Sequence, residues 1–167
     1  MDNIVIRKLT LKDIDAVCLM EEEAFSMPWH KESFIDMINN PDALYLVAEA
    51  IDDTCVISAN AAQNGNCGKV VGCAGVISVI GEGDICNIVV STDYRGQGVG
   101  TKLVKALLLQ GEEDYGIKEY TLEVRVSNKP AIALYEKMGF VGEGVRPGFY
   151  DEPKEDALIM WRRQIVK

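Results

Sequence analysis

The residues of this chain most able to do chemistry are Arg95-Gly96-Gln97-Gly98-Val99-Gly100. Glycines at alternate positions let the backbone take positive φ, so that successive main-chain amides converge on one point. If a helix begins at Thr101, the nest is backed by unsatisfied N–H groups and the positive end of a helix dipole, which suits phosphate or diphosphate. A dinucleotide fingerprint requires G-x-G-x-x-G, and the spacing here is G-x-G-x-G. A Walker loop requires Lys directly after the last glycine, and Thr101 intervenes before Lys102. A tight turn holding no ligand stays open beside the anion site.

The elements around this loop follow from periodicity. Residues Ile4 to Leu9 alternate as an opening strand, and Thr10 with Asp13 caps a helix with Leu11, Ile14, Val17 and Cys18 at helical spacing, running to about Phe25. After Pro28, His30 to Asn39 reads as a second helix, stopped by Asn40 and Pro41. Leu44 to Ala50 and Lys69 to Ile80 read as an antiparallel pair of strands. Asp52 to Gly68, polar and small, is a long hairpin insert between them. Ile85 to Val90 is almost wholly apolar, as expected of a central strand buried on both faces. The loop feeds a helix from Thr101 to about Tyr115, with Leu103, Val104, Leu107 and Leu108 as its core stripe. Tyr120 to Val126 alternates, Thr121, Glu123 and Arg125 forming the polar face. Ser127-Asn128-Lys129-Pro130 opens a last helix that stops at Gly139. Strands near Phe140 to Arg146 and Ala157 to Arg162 complete a mixed α/β order.

Composition narrows the possibilities. A chain of 167 residues favours one domain, 1–167. Its 26 acidic and 17 basic residues leave a net charge of −9. That balance offers no basic stripe for nucleic acid and favours cationic partners. The first residues lack a secretory pattern, and no apolar run is long enough to span a membrane. Five cysteines without a C-x-x-C pair, and His30 as the single histidine, make a poor metal set and suit reduced thiols in a cytoplasmic protein. Cys73 and Cys86 fall within apolar strands as small core residues, Cys55 and Cys67 flank the insert, and His30 reads as a surface residue.

Beyond single motifs, the order of residues resembles the GCN5-related N-acetyltransferase superfamily. Arg95 to Gly100 fits R/Q-x-x-G-x-G/A, preceded by Asn87-Ile88-Val89-Val90 and followed by Leu122-Glu123-Val124-Arg125, Ser127-Asn128, Ala131, Leu134-Tyr135-Glu136 and Gly139-Phe140. A narrower resemblance, over nearly the whole chain, is to the bacterial ribosomal-protein alanine N-acetyltransferases (RimI type). It is carried by Phe25, Pro28-Trp29, the Leu122 to Arg125 and Ser127-Asn128 run, Tyr150 and Glu155-Asp156-Ala157-Leu158-Ile159-Met160; the Asp52 to Gly68 insert is longer than that family's connection.

The resemblance implies an acyl-CoA N-acyltransferase fold, a mixed, mostly antiparallel sheet flanked by helices. It implies acetyl transfer from acetyl-CoA, without a metal, to a protein N-terminal amine, that of a ribosomal protein alanine, by a cytoplasmic monomer or weak dimer that engages neither nucleic acid nor membrane. Arg95, Gly96, Gln97, Gly98, Val99, Gly100 and Thr101 would hold the diphosphate, and Ile88, Val89 and Val90 would pair with the pantetheine arm beside a bulge that no glycine or proline marks. The Val90 amide would serve the oxyanion. Glu123 stands at the base position; a strand Glu paired with Arg125 or a lysine is the plainer reading. Asn128 and Tyr135, two helical turns or about 10 Å apart, would face the pantetheine and the sulfur; a tyrosine packed beside Leu134 and Met138 is the alternative. A phenol with a pKa near 10 can protonate a thiolate. Trp29, Arg146 and Tyr150 would line the amine side, though a Trp after Pro also serves as a packing anchor. Asp151, Glu152, Glu155 and Asp156 read equally as a receiver of basic peptide and as a solvated loop. An acetyltransferase for a small-molecule amine, a non-catalytic acyl-CoA-binding module and a scaffold subunit are the competing readings.

Overall fold

The computed structural model describes residues 3–51 and 68–163. Cys55, Cys67 and all but the last residue of the Asp52 to Gly68 insert lie outside that range. The elements run β1 (Asn3–Lys8), α1 (Ile14–Ala24), α2 (Lys31–Asn39), β2 (Ala43–Ile51), β3 (Gly68–Val79), β4 (Glu82–Val90), α3 (Val99–Tyr115), β5 (Glu119–Arg125), α4 (Lys129–Lys137), β6 (Val141–Asp151) and β7 (Lys154–Arg163). Among the described residues the strands form one seven-stranded sheet in the order β1-β2-β3-β4-β5-β7-β6. Every pairing is antiparallel except β4 with β5, so the mixed, mostly antiparallel sheet is observed.

Each face of the sheet buries an apolar layer. Leu103, Val104, Leu107 and Leu108 of α3 pack with Tyr135 and Phe140 over one face, while Ile14, Val17 and Met20 of α1 and Phe34 and Met37 of α2 cover the other. The sheet's alternation supplies both layers, since successive side chains point to opposite faces. Three expectations need correction. β4 is not buried evenly on both faces: Ile85, Asn87 and Val89 are buried and Cys86, Ile88 and Val90 only partly so, because a cleft runs along one of its edges. α3 starts two residues early, at Val99. β6 and β7 are a longer hairpin than their apolar patterns indicate, because their tip is polar and exposed.

One ion-pair cluster fixes where α1 begins. Asp13, only 2% exposed, accepts from both terminal nitrogens of Arg7 at 2.8 Å and from the amide and hydroxyl of Thr10 at 2.9 Å. Arg7 Nε donates to Glu49 of β2 at 2.6 Å, so β1, β2 and α1 meet at one guanidinium. Burial pushes the Asp13 carboxyl up, but the bonds from Arg7 and Thr10 outweigh it and hold the group below its usual range. Asp13→Asn should cost about 2 kcal/mol in denaturant unfolding, because it breaks a largely buried pair in which Arg7 stays partly solvated. A lowered pKa in the folded state means stability that is present above the ordinary carboxylate range and lost as the pH falls through the folded value. The wild type should therefore lose this increment at acid pH, and the variant should show a flatter acid limb.

Candidate active site

β4 and β5 are neighbours that stay paired for only three residues. Glu82, Gly83 and Asp84 lie opposite Glu119, Tyr120 and Thr121, after which the strands part. The parting coincides with a bulge in β4. On the β3 side Ile85 faces Val76 and Asn87 faces Gly75, leaving Cys86 as an extra residue. A bulge bends its strand and leaves the inserted residue out of the ladder. It also breaks the alternation: Cys86 packs against the α1–α2 layer, and the next residue, Asn87, bonds Glu21 of α1. No glycine or proline announces it.

The strands diverge around a cleft of about 560 Å³. Ile85 to Ile88 form one wall and Leu122 to Arg125 the other, and Asn128, Tyr135, Tyr150 and Trp29 reach in from other elements. Ser91 N–H donates to Val71 O at 2.9 Å, so by alternation the backbone groups of Val89 join the β3 ladder and those of Ile88 and Val90 face the open side. Val89 thus presents neither backbone nor side chain to the cleft. Val90 O already accepts from Arg95 Nε at 3.0 Å, which leaves its amide and both groups of Ile88 available.

The glycine loop has the expected form. Gly96 and Gly98 take φ of 73° and 82°, and Gly98 is the N-cap of α3 with no side chain bonded to the first amides. A Cβ at either would meet nothing within 4 Å, so backbone conformation and an open approach, not packing, require glycine there. The Arg95 and Gln97 side chains turn back onto Val90 O and Asp93 O, so they shape the loop and leave an anion to the backbone.

Glu123 lines the cleft from β5. Its partner is Arg146 of β6, at 3.2 Å, while Arg125 binds Glu155 and the carbonyls of Glu152 and Pro153, so the Arg125 pairing considered from sequence does not occur. Tyr150 donates to Glu123 O at 3.3 Å and stacks under the Arg125 guanidinium at 4.2 Å. Tyr135, from α4, is buried apart from its edge on the cleft, and its hydroxyl has no hydrogen-bond partner among the described residues. Burial, with Tyr150 nearby, pushes its phenol well above the ordinary value. Asn128 caps α4, its Oδ1 accepting from Ala131 N at 3.3 Å, which leaves its amide nitrogen free of that bond. Trp29 is both wall and anchor: it lines the cleft and packs on Phe34 and Tyr45 at 5.6 and 6.3 Å. The acidic stretch divides. Asp151 and Glu152 line the cleft, whereas Glu155 and Asp156 are bonded to Ser127 N and Gly148 N.

Sequence reasoning passed over Glu21, which lines the cleft and is 1% exposed. It sits in an acidic run, Glu21-Glu22-Glu23, that reads as solvated. The available signal was phase: Glu21 follows Ile14 by seven residues and Val17 by four, on the buried stripe.

Residues 14–140 match the family described as the acetyltransferase (GNAT) family. A relative from Bacillus subtilis (strain 168), named provisionally as a [ribosomal protein bS18]-alanine N-acetyltransferase, is 38% identical over 158 residues and 93% of each chain. The [ribosomal protein bS18]-alanine N-acetyltransferase of Escherichia coli (strain K12) is 33% identical over 157 residues, 93% of this chain and 94% of its own. The crystal structure of the ribosomal-protein-S18-alanine N-acetyltransferase from Escherichia coli superposes with a TM-score of 0.77 at 30% identity, covering 99% of this chain and 96% of that one.

Gly98→Ala forces a side chain into the left-handed region and should cost about 1 kcal/mol of stability. Its Cβ would also project into the open approach of the amide nest. Calorimetry with inorganic diphosphate should show weaker binding than wild type, while an unchanged affinity would remove the nest from anion binding.

Proposed function

Because the chain belongs to the acetyltransferase (GNAT) family, we propose that it transfers the acetyl group of acetyl-CoA to a protein N-terminal α-amine, that of the alanine beginning a ribosomal protein of the bS18 kind. The observation that carries this reading is the parting of β4 from β5, which leaves backbone groups unpaired along a cleft faced by Glu123, Asn128 and Tyr135. Acetyl-CoA fits the residues present: an amide nest with open space for a diphosphate, and an unpaired strand edge for an amide-bearing arm.

When bound, acetyl-CoA supplies a thioester open to attack by an amine. The first amides of α3, with Gly96 and Gly98, hold its diphosphate. Ile88 contributes a backbone donor and acceptor to the arm, and Asn128 a side-chain amide. The Val90 N–H is the donor for the oxyanion. An α-amine has a pKa of about 7.7–8.0, so near neutral pH part of it is already uncharged and Glu123 has a modest task. Glu123 attracts the ammonium and takes its proton, directly or through a water; Arg146 opposite aims the carboxylate. Tyr135 holds a proton at Oη for the departing sulfur, and burial keeps that proton in place across the working pH range. Trp29 and Tyr150 border the entering peptide. Asp151 and Glu152 at the rim favour a basic one, as does the net charge of −9. In this reading residues 1–167 form one domain acting in the cytoplasm as a monomer or weak dimer, with neither nucleic acid nor membrane as partner.

Turnover of a hexapeptide beginning with alanine should exceed that of polyamines and aminoglycosides in kcat/KM; absence of turnover on the peptide discards the acceptor assignment. Tyr135→Phe should lower kcat by about 100-fold or more with coenzyme A affinity nearly unchanged. Glu123→Gln should lose most at low pH, where fewest amines are neutral. Because the Tyr135 pKa is raised, the wild type should keep its kcat up to at least about pH 9.5; a fall near pH 8 would exclude Tyr135 as the proton donor.

A further inference from the structure

Glu21 is a buried carboxylate on the cleft wall that the mechanism above does not use, and it has no cationic partner among the described residues. The titratable groups that feel its charge are Cys18 of α1, Tyr45 of β2, Cys73 of β3 and Cys86 of β4, none of them basic. Two neutral donors satisfy it: Asn87 Nδ2 reaches Oε1 at 2.6 Å and the Trp29 amide reaches Oε2 at 3.3 Å. A carboxylate is the side chain that presents two acceptor oxygens to two donors, whereas an amide in its place must turn an N–H toward one of them.

Both grips belong to the cleft. Asn87 is the residue after the extra residue of the β4 bulge, 66 positions away in sequence, and Trp29 stands in the turn between α1 and α2. We propose that Glu21 is a positioning residue for acetyl transfer: accepting from Asn87 and Trp29 at once, it clasps the β4 bulge to the Trp29 turn and so sets the width of the cleft. The inference rests on the acetyltransferase reading for its kinetic consequences and on hydrogen bonding alone for the clasp. Ile88 and Val90, just beyond Asn87, keep their register toward the open side only while the bulge is held. The Trp29 ring keeps its place at the acceptor end for the same reason.

Polarity exchange tests the clasp with almost no change of shape. In Glu21→Met both donors lose their acceptor, and in Asn87→Asp two carboxyl groups meet. In the double variant, Glu21→Gln with Asn87→Asp, the introduced amide donates to the introduced carboxylate while its carbonyl accepts from the Trp29 N–H. Each single change should raise KM for acetyl-CoA and peptide and lower kcat/KM about 10-fold or more, with weaker coenzyme A binding in calorimetry. The double variant should return to within about threefold of wild type, a coupling that independent sites would not show. Hydrogen exchange at the Trp29 amide reads the clasp without any turnover: slow in wild type and the double variant, fast in Glu21→Met. A double variant as impaired as Asn87→Asp alone, an unchanged KM in Glu21→Met, or fast exchange at Trp29 in the wild type would overturn the proposal. A wild type that exchanges slowly at Trp29 yet binds no coenzyme A would instead count against the acetyl-CoA reading.

Discussion

A strand inside a sheet must find partners for its amides and carbonyls on both sides, and beyond Asp84 β4 has them on one side only. Most of what surrounds the cleft follows from that imbalance. Val90 O is taken by Arg95, whose loop is thereby tied to the strand it follows. Ile88 and the Val90 amide are left at an edge that an extended, amide-bearing molecule can complete, as an added strand would. The same strand leads through a 3-10 turn at Thr92–Tyr94 into the glycine turn, so the unpaired edge and the unbonded amides at the start of α3 are close in the chain. Fold and cleft are one feature: a sheet closed along β4 would have no opening there.

Keeping that edge open needs support from both faces. On one, Gly100 approaches α4 closely enough that an added Cβ would lie 3.2 Å from Leu134, so the loop and the helix bearing Tyr135 are held together. On the other, the Arg7–Asp13 pair sets the start of α1 and Glu21 ties its end to Asn87. The opposite wall is held by Arg125, which binds Glu152, Pro153 and Glu155 of the β6–β7 hairpin and stacks on Tyr150. With Arg125 committed to these contacts and Arg146 half-exposed at the rim, the carboxylates of Glu21, Glu123, Asp151 and Glu152 give the cleft an acidic lining, the polarity a cationic amine requires. The acetyltransferase (GNAT) family to which the chain belongs is thus expressed here in a site with one wall set by β4 and the other by a hairpin-braced β5.

Much of this could be read from residue order. Strand alternation in Tyr120 to Val126 put Glu123 on the polar side; the 3.6-residue period placed the core stripe of α3; Asn128-Lys129-Pro130 announced a capped helix, and Asn128 is its cap. What escaped was non-local. The partner of Glu123 proved to be Arg146, two strands away in the sheet, because the order β5-β7-β6 is set by pairings that residue order does not announce. The length of the β6–β7 hairpin was missed because its tip lacks an apolar pattern.

The sequence by itself determined the elements, their order and the glycine turn, because periodicity, caps and glycine conformations act within a few residues of where they are written. Tertiary structure alone decided that Cys86 is a bulge, that Val89 turns its backbone to β3 while Ile88 and Val90 turn theirs to the open edge, and that Glu21 pairs with Asn87. Those outcomes depend on which strand edges and helix faces meet, and such meetings join residues far apart in the chain whose pairing leaves no local mark.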